Sequence, residues 1–316
     1  MAERARGQQA TTIEPPIRPV PIPAQPRGLL ALDIDGTLLG PSGVLSERTR
    51  EAVRAAGEAG WLVTLATGRR WGSTTPVADL LGLQAPLITF NGALVRSAAT
   101  GEILRYTPLA AEAIGPFVEA LVRRGLQPVL YEDIRTGEGF LTGPADYDSA
   151  TLRGWFANLA EEYGQRVARL THDDLGQLGD AIRIIVYDTT ERVAWVDALG
   201  DEVGIPANVI FYPVERYDAL MAEIVHPDCT KATAIAALAE HYGLTIAETI
   251  AVGDGPNDLE MIAEAGVGVA MGQAIPEIKA RAALTIGDHA SDGLAEFIER
   301  ELLGGTGFPA HLRRQR

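Results

Sequence analysis

Residues 29–37 read LLALDIDGT, a short apolar run that ends in two carboxylates, a glycine and a threonine. An uninterrupted apolar run of this length is typical of a strand buried in a parallel sheet. Asp33 and Asp35 stand at its carboxyl end, the edge where α/β proteins place ligands, and alternation points both side chains the same way. Burying two carboxylates is costly unless they are paired or bind a cation, and a hard divalent cation between Asp33 and Asp35 is the natural prediction. The alternative is a plain strand-to-turn cap built from the same residue types.

Strands and helices alternate on both sides of this segment. Before the middle of the chain we expect a helix from Ser46 to Gly57 and another ending at Leu81, with strands at 61–66 and 86–90. After the middle we expect helices near 230–242, from Asn257 and near 291–302, with strands at 249–252 and 267–270. This alternation predicts an α/β fold with a doubly wound, Rossmann-like parallel core sheet.

The middle of the chain has a different pattern of predicted strands and helices. Strand-like segments occur at 103–107, 127–131, 139–142 and 181–187, with helical patterns near 110–124, 149–163 and 190–201. We therefore expect a core built from residues 28–92 and 225–303 and an inserted α/β cap at 93–224. Residues 1–27 contain six prolines between positions 15 and 26 and predict a disordered tail, or else a short-motif ligand. Residues 304–316 are expected to fray.

Composition excludes several classes of protein. The formal net charge is −15, which argues against a nucleic-acid partner. No apolar stretch approaches the roughly 20 residues of a membrane span. A single cysteine, Cys229, forbids an intrachain disulfide and fits a reducing cytoplasm. Oligomeric state cannot be inferred from these features.

Three further segments carry chemistry. Gly253 to Asp258 (GDGPND) follows another apolar strand, so Asp254 and Asp33 are predicted at neighbouring strand ends, although a turn plus a helix cap would use the same residues. Thr67-Gly68-Arg69 ends the second core strand and offers a hydroxyl and a helix N-terminus, a ready anion site. Lys231 begins a helix, where a solvated lysine is the ordinary alternative. Together these segments supply oxygen ligands for Mg²⁺ and the positive character that an anionic substrate needs on an acidic protein.

In order and spacing, these segments resemble the four motifs of the haloacid dehalogenase-like (HAD) superfamily. The motifs correspond to residues 33–37, Thr67, Lys231 and residues 253–258. Accessory segments resemble the Cof-type hydrolases, which have a large α/β cap: Asn91-Gly92-Ala93, Ala270-Met271-Gly272 and Asp292-Gly293. The resemblance spans about residues 28–302. It departs from the family at Gln273, where asparagine is usual, and at Thr230 and Ala232, where serine and glycine are common.

The resemblance implies a mechanism and a role for each residue. Asp33 is the nucleophile, and Asp35 is the acid and base, a role that needs a raised pKa, which a neighbouring carboxylate and partial burial would provide. Magnesium is held by the Asp33 side chain, the Asp35 carbonyl and Asp254. The residues implied to bind phosphate or support the site are Thr67, Gly68, Lys231, Asn257, Asp258 and Arg69, the last facing substrate or holding a carboxylate.

The expected activity is hydrolysis of a small phosphorylated metabolite, either a sugar phosphate or a phosphorylated cofactor or flavin precursor. A phosphomutase of the same superfamily and a non-catalytic phosphometabolite sensor are the alternatives, and a dehalogenase would not need Asp35. The cap is expected to select the leaving group. Its aromatic candidates are Trp155, Tyr187 and Tyr217, for which ordinary packing is the competing interpretation.

Overall fold

The computed structural model describes residues 18–131, 139–163, 167–214, 218–304, 308–309 and 312. The strands in these ranges are β1 (Leu29–Leu32), β2 (Leu62–Leu65), β3 (Pro86–Thr89), β4 (Leu94–Ser97), β5 (Ile103–Tyr106), β6 (Val129–Tyr131), β7 (Phe140–Thr142), β8 (Val167–Arg169), β9 (Ile184–Asp188), β10 (Asn208–Val214), β11 (Ala219–Val225), β12 (Thr249–Gly253), β13 (Val267–Ala270) and β14 (Leu284–Thr285). The α-helices are α1 (Glu47–Glu58), α2 (Trp71–Leu81), α3 (Ala111–Arg123), α4 (Ala150–Tyr163), α5 (His172–Gly176), α6 (Thr190–Val193), α7 (Leu199–Val203), α8 (Lys231–His241), α9 (Leu259–Glu264), α10 (Pro276–Arg281) and α11 (Gly293–Phe297).

The core is a parallel sheet in the order β14-β13-β12-β1-β2. Strand β1 lies between β12 and β2, and all four of its residues have no solvent exposure. Both faces of the central strand are therefore covered, as its unbroken apolar run predicts. Strand β3 continues the sheet through a parallel bridge between Ala66 and Ile88. The predicted α/β fold class is confirmed.

The inserted segment forms a second sheet in the order β10-β11-β9-β6-β7-β8. Neighbouring strands are antiparallel except for β7 and β8. Helix α3 packs on this sheet through Phe117 and Leu121, in a hydrophobic cluster separate from that of the core. The two long strands β10 and β11 form an antiparallel pair at one edge of this sheet, and the chain returns to the core after β11.

Two details differ from the sequence predictions. The predicted insert begins at residue 93, yet β4 pairs with core strand β3 and β5 pairs with β4, both antiparallel, in one three-stranded sheet. A tight reversal at Asn91 and Gly92, both with positive φ, brings β4 back alongside β3. The helix predicted over 190–201 is instead α6, a 3₁₀ segment and α7.

The predicted tails also differ where they are described. Residues 1–17 lie outside the described residues, but Val20 is buried, and its amide donates to the Gly82 carbonyl at 2.7 Å. The apolar side chain of Val20 packs into the core cluster, so the prediction of a disordered tail over residues 1–27 is wrong at Val20. Phe308 likewise packs on Trp61, with ring centroids 6.0 Å apart, where fraying is expected. No helix in the described ranges is long and apolar enough to cross a membrane.

Candidate active site

Two acidic strand ends meet at one edge of the core sheet. Because β1 and β12 are neighbours, Asp33 and Asp254 follow adjacent strands, and the Asp33 amide donates to the Val252 carbonyl at 3.0 Å. Carboxylate oxygens of Asp33, Asp254 and Asp258 lie within 4.8 Å of one another. The structure thus brings together the two remote segments that the cation hypothesis requires.

Gly36 allows this close approach. Its φ is +83°, and a Cβ at this position would collide with the carboxylate of Asp254. Thr37 Oγ1 donates to Asp254 Oδ1 at 3.5 Å, and Gln273 Nε2 donates to Asp254 Oδ2 at 3.3 Å and to the Gly36 carbonyl. Gln273, which departs from the family pattern, therefore holds Asp254 in place.

Lys231 is the positively charged side chain at the centre of the cluster. It is the first residue of α8, whose N-cap Thr230 accepts a hydrogen bond from the Thr233 amide. Lys231 is 1% exposed, and its Nζ donates to Asp33 Oδ1 and to Asp258 Oδ1, both at 2.6 Å. Burial alone would lower the pKa of Lys231, but Asp258 and Asp33 hold that pKa above its ordinary value. The lysine is not a solvated one.

The cluster has more negative charge than Lys231 can balance. Burial, together with the charge of Asp258, raises the pKa of Asp33 to about 8 despite Lys231. Burial and Asp258 also raise the pKa of Asp254. A bound divalent cation would favour the ionised form of both groups. The donor set therefore fits a hard cation.

Asp258 has a supporting role in this geometry. Its Oδ1 accepts from Lys231, and its Oδ2 accepts from the amides of Asp254 and Gly255 at 2.9 and 3.0 Å. Because both oxygens already accept hydrogen bonds, Asp258 orients Lys231 and the Asp254 turn. Asp33 and Asp254 are therefore the side chains of this cluster best placed to bind a cation.

The environment of Asp35 is more exposed than expected. Its side chain is 62% exposed and forms a two-pronged ion pair with Arg69, with oxygen–nitrogen distances of 2.7 and 2.5 Å. The expectation of partial burial is wrong, because Asp35 lies beyond the end of β1, on the cavity side of the turn. Of the two alternatives for Arg69, the structure shows it holding a carboxylate.

Thr67 and Gly68 lie across the cavity floor at the end of β2. Thr67 is 1% exposed, and its Oγ1 accepts from the Arg69 amide at 3.2 Å. Helix α2 begins only at Trp71, so the predicted helix N-terminus lies four positions beyond Thr67. A backbone loop, and not the first turn of the helix, surrounds these two residues.

Asn257 connects the core to a buried network that sequence reasoning missed. Its Nδ2 donates to Asn91 Oδ1 at 3.0 Å, and Asn91 Nδ2 donates to Tyr212 Oη at 2.6 Å and to Glu223 Oε2 at 2.8 Å. Glu223 forms an ion pair with Arg183, whose Nη1 also donates to the Gly68 carbonyl at 3.2 Å. The sequence does contain a signal for this network: Glu223 lies inside the apolar run of β11, and Arg183 directly precedes β9.

One cavity of about 800 Å³ joins these groups. Its core side includes Asp33, Asp35, Thr67, Gly68, Asp254 and Asn257. Its cap side includes Tyr131, Phe140, Trp155, Arg183, Tyr212 and Glu223. Of the aromatic candidates in the cap, Trp155 lines the cavity, Tyr187 contacts Trp155, and Tyr217 lies outside the described residues.

Comparison with known proteins agrees with this geometry. Residues 30–298 match the family model of the haloacid dehalogenase-like hydrolases. The chain belongs to this family. The predicted resemblance to HAD-like hydrolases of the Cof type is thereby confirmed.

Curated relatives of this HAD-like hydrolase are phosphatases. The chain is 29% identical over 291 residues to the pyridoxal phosphate phosphatase of Escherichia coli, covering 87% of this chain and 98% of the relative. It is 32% identical over 260 residues to the HMP-PP phosphatase of Cronobacter sakazakii, covering 79% and 86%. The crystal structure of a haloacid dehalogenase-like hydrolase from Bacteroides thetaiotaomicron superposes with a TM-score of 0.69 at 27% identity, covering 86% of this chain and 98% of that one. The prediction of a phosphatase is confirmed.

Proposed function

We propose that this HAD-like phosphatase is magnesium-dependent and hydrolyses small phosphorylated metabolites through an aspartyl-phosphate intermediate on Asp33. The observation that carries the proposal is the position of Asp33 on the floor of the cavity. One of its oxygens accepts from buried Lys231, and its carboxylate lies beside that of Asp254. A carboxylate fixed in this way can attack a phosphorus atom that enters from the cavity.

In the first step, an oxygen of Asp33 forms a bond to phosphorus while the bond to the leaving oxygen breaks. Asp35 donates a proton to that oxygen, and an alcohol leaves. In the second step, Asp35 accepts a proton from water as the water oxygen attacks phosphorus. Inorganic phosphate leaves, and Asp33 is regenerated. Arg69 keeps Asp35 at the cavity mouth between these events.

The ion would be held by the side chains of Asp33 and Asp254 and by the Asp35 carbonyl. When bound, Mg²⁺ supplies positive charge to the phosphoryl oxygens and holds the two carboxylates ionised. Asp258 acts by orienting Lys231 and the Asp254 turn. The clustering of the Asp33, Asp254 and Asp258 carboxylates and the raised pKa of Asp33 support this assignment.

Phosphate oxygens would be bound by Lys231, the Thr67 hydroxyl, the Gly68 backbone and Asn257. Thr67, Gly68 and Asn257 line the cavity beside Asp33, and Lys231 Nζ donates to Asp33 Oδ1 from below, so hydrogen-bond donors lie near the position where negative charge is greatest during transfer. The inserted segment, assigned to residues 93–224 by sequence and including α3 and the second sheet, acts as a lid that excludes water. Substrates of the relatives, pyridoxal phosphate and HMP-PP, are the first compounds to test on this chain.

Phosphate release in the presence and absence of metal tests the proposal. Chelation should abolish phosphate release from p-nitrophenyl phosphate, and Mg²⁺ should restore it. Asp254→Asn should raise the Mg²⁺ concentration needed for half-maximal activity by at least about tenfold, since a charged ligand is replaced by a neutral one. Asp79→Asn, which alters an exposed carboxylate on α2, is the matched control and should behave as wild type. Full activity in excess chelator would contradict the proposal.

A further inference from the structure

The cap side of the cavity is mostly apolar and aromatic. Among the described residues, the cap contributes these apolar and aromatic side chains to the cavity wall: Tyr131, Phe140, Trp155, Leu159, Ile185 and Met221. A leaving group placed on Asp33 extends from the core floor toward this wall. The wall therefore decides which leaving groups are bound.

Trp155 packs against neighbouring aromatic rings in this wall. Its ring lies 5.5 Å from that of Phe140 in an edge-to-face arrangement and 5.7 Å from that of Tyr187. Phe140 is almost fully buried, whereas Trp155 is half-buried and lines the cavity. Part of the indole thus remains available to a ligand, while its neighbours fix its orientation. An aromatic surface fixed in advance binds a flat ring at little entropic cost.

The charged and polar cap side chains that line the cavity already bind protein groups. Arg183 pairs with Glu223 and donates to the Gly68 carbonyl, and Glu223 also accepts from Asn91. The Tyr212 hydroxyl accepts from Asn91. A sugar placed against this wall would give up hydrogen bonds to water and find few replacements among the described cap residues, at a net cost in binding.

From this wall we infer that the preferred leaving group carries a flat aromatic ring, and that Trp155 is a specificity-determining residue. The inference rests on the proposed function and assigns the substrate class of that same site. The ring stacks on Trp155 and fills the space between Phe140 and Met221, while the phosphoryl group lies on Asp33. Polyol phosphates are poorer substrates because the wall does not replace their water contacts.

Two esters of primary alcohols test the substrate class in the wild-type enzyme. Benzyl phosphate carries a flat ring, and glucose 6-phosphate carries a polyol, with the same type of bond broken in both. With Mg²⁺ present, kcat/KM should be at least about tenfold higher for benzyl phosphate, the size expected for stacking on a fixed aromatic ring. An equal or higher value for glucose 6-phosphate would overturn the inference.

Trp155→Leu tests the residue. KM for benzyl phosphate should rise about tenfold with kcat nearly unchanged, because the lost contact acts equally on bound substrate and transition state. Both constants for glucose 6-phosphate should stay within about twofold. Trp195→Leu removes a cap tryptophan that stacks under Arg124 and is absent from the described cavity lining, and should leave both substrates unaffected. Equal loss on both substrates in a folded Trp155→Leu protein would overturn the assignment of Trp155.

Failure of the inference can be separated from failure of the proposed function. Hydrolysis of glucose 6-phosphate in preference to benzyl phosphate overturns the ring preference alone, since a metal-dependent phosphatase is still demonstrated. Absence of phosphate release from both esters and from p-nitrophenyl phosphate overturns the proposed function and the inference with it. Thermal unfolding of each variant shows whether a loss comes from the site or from the fold, and the wild-type comparison of substrates needs no variant.

Discussion

The two sides of the cavity use charged residues in opposite ways. On the core side, Asp33, Asp254 and Asp258 carry more negative charge than the ammonium of Lys231 balances, so their carboxylates remain available to a cation. On the cap side, Arg183 and Glu223 neutralise each other in a buried pair. The charged residues of the core can therefore bind ligands, whereas the charged pair of the cap stabilises the fold. Substitutions on the two sides should therefore have different consequences.

Asp33→Asn should produce the largest effect. The amide is nearly the same size but cannot act as the nucleophile, so kcat for p-nitrophenyl phosphate should fall by at least about 10⁴-fold. The free energy of unfolding should change little, since a neutral side chain in this buried site no longer repels Asp258. Initial rates and urea unfolding measure the two quantities. Activity near the wild-type level would eliminate Asp33 as the nucleophile.

Asp35→Asn should reduce kcat by about 10²- to 10⁴-fold, the usual contribution of a general acid–base group. The smallest losses are expected for substrates with good leaving groups, which need less protonation in the first step. Comparing the losses in kcat/KM for p-nitrophenyl phosphate and benzyl phosphate measures this difference, because kcat/KM does not include hydrolysis of the intermediate that both esters share. Equal losses on the two esters would show that Asp35 does not protonate the leaving group.

Lys231→Met should reduce kcat by about 10²- to 10³-fold, the usual cost of removing one donor to a transition-state charge. The long apolar side chain preserves much of the volume, but it leaves Asp33 and Asp258 buried without their ammonium partner. Lys279→Met, an exposed substitution at the end of α10, is the matched control. Unchanged kcat in Lys231→Met would contradict a role in binding phosphate.

Glu223→Gln tests the opposite side of the cavity. It leaves the buried Arg183 without its charged partner, which typically costs about 3 kcal/mol in the free energy of unfolding. The loss of activity should be smaller than in the core variants, because Glu223 is not expected to contact the reacting atoms. Urea unfolding checks the first expectation and initial rates the second. Loss of activity as large as in Asp33→Asn, with unchanged stability, would erase the contrast between core and cap.

The site was predictable from sequence where chemistry and strand ends coincide. Asp33 and Asp254 each follow a short apolar run, and the carboxyl ends of neighbouring parallel strands meet at one edge. Lys231 was predictable from its motif, but its two carboxylate partners depend on how α8 packs against the sheet.

Other features depend on contacts between distant parts of the chain. The exposure of Asp35 and its pairing with Arg69 arise from the turn after β1 and the loop after β2. The pair formed by Arg183 and Glu223 needs the register of β9 against β11, which no local pattern specifies. The burial of Val20 is not predictable from sequence, because the few apolar residues of the proline-rich segment have no periodicity.

The most direct test of the mechanism is to trap the phosphorylated aspartate. Asp35→Asn slows hydrolysis of the intermediate, so the variant is mixed with p-nitrophenyl phosphate and Mg²⁺, quenched in acid and treated with borohydride, which reduces an acyl phosphate to an alcohol. Peptide mass spectrometry should find homoserine at position 33, and none when Asp33→Asn is added to the variant. Turnover with an unmodified Asp33, or with reduction at another carboxylate, would contradict the account.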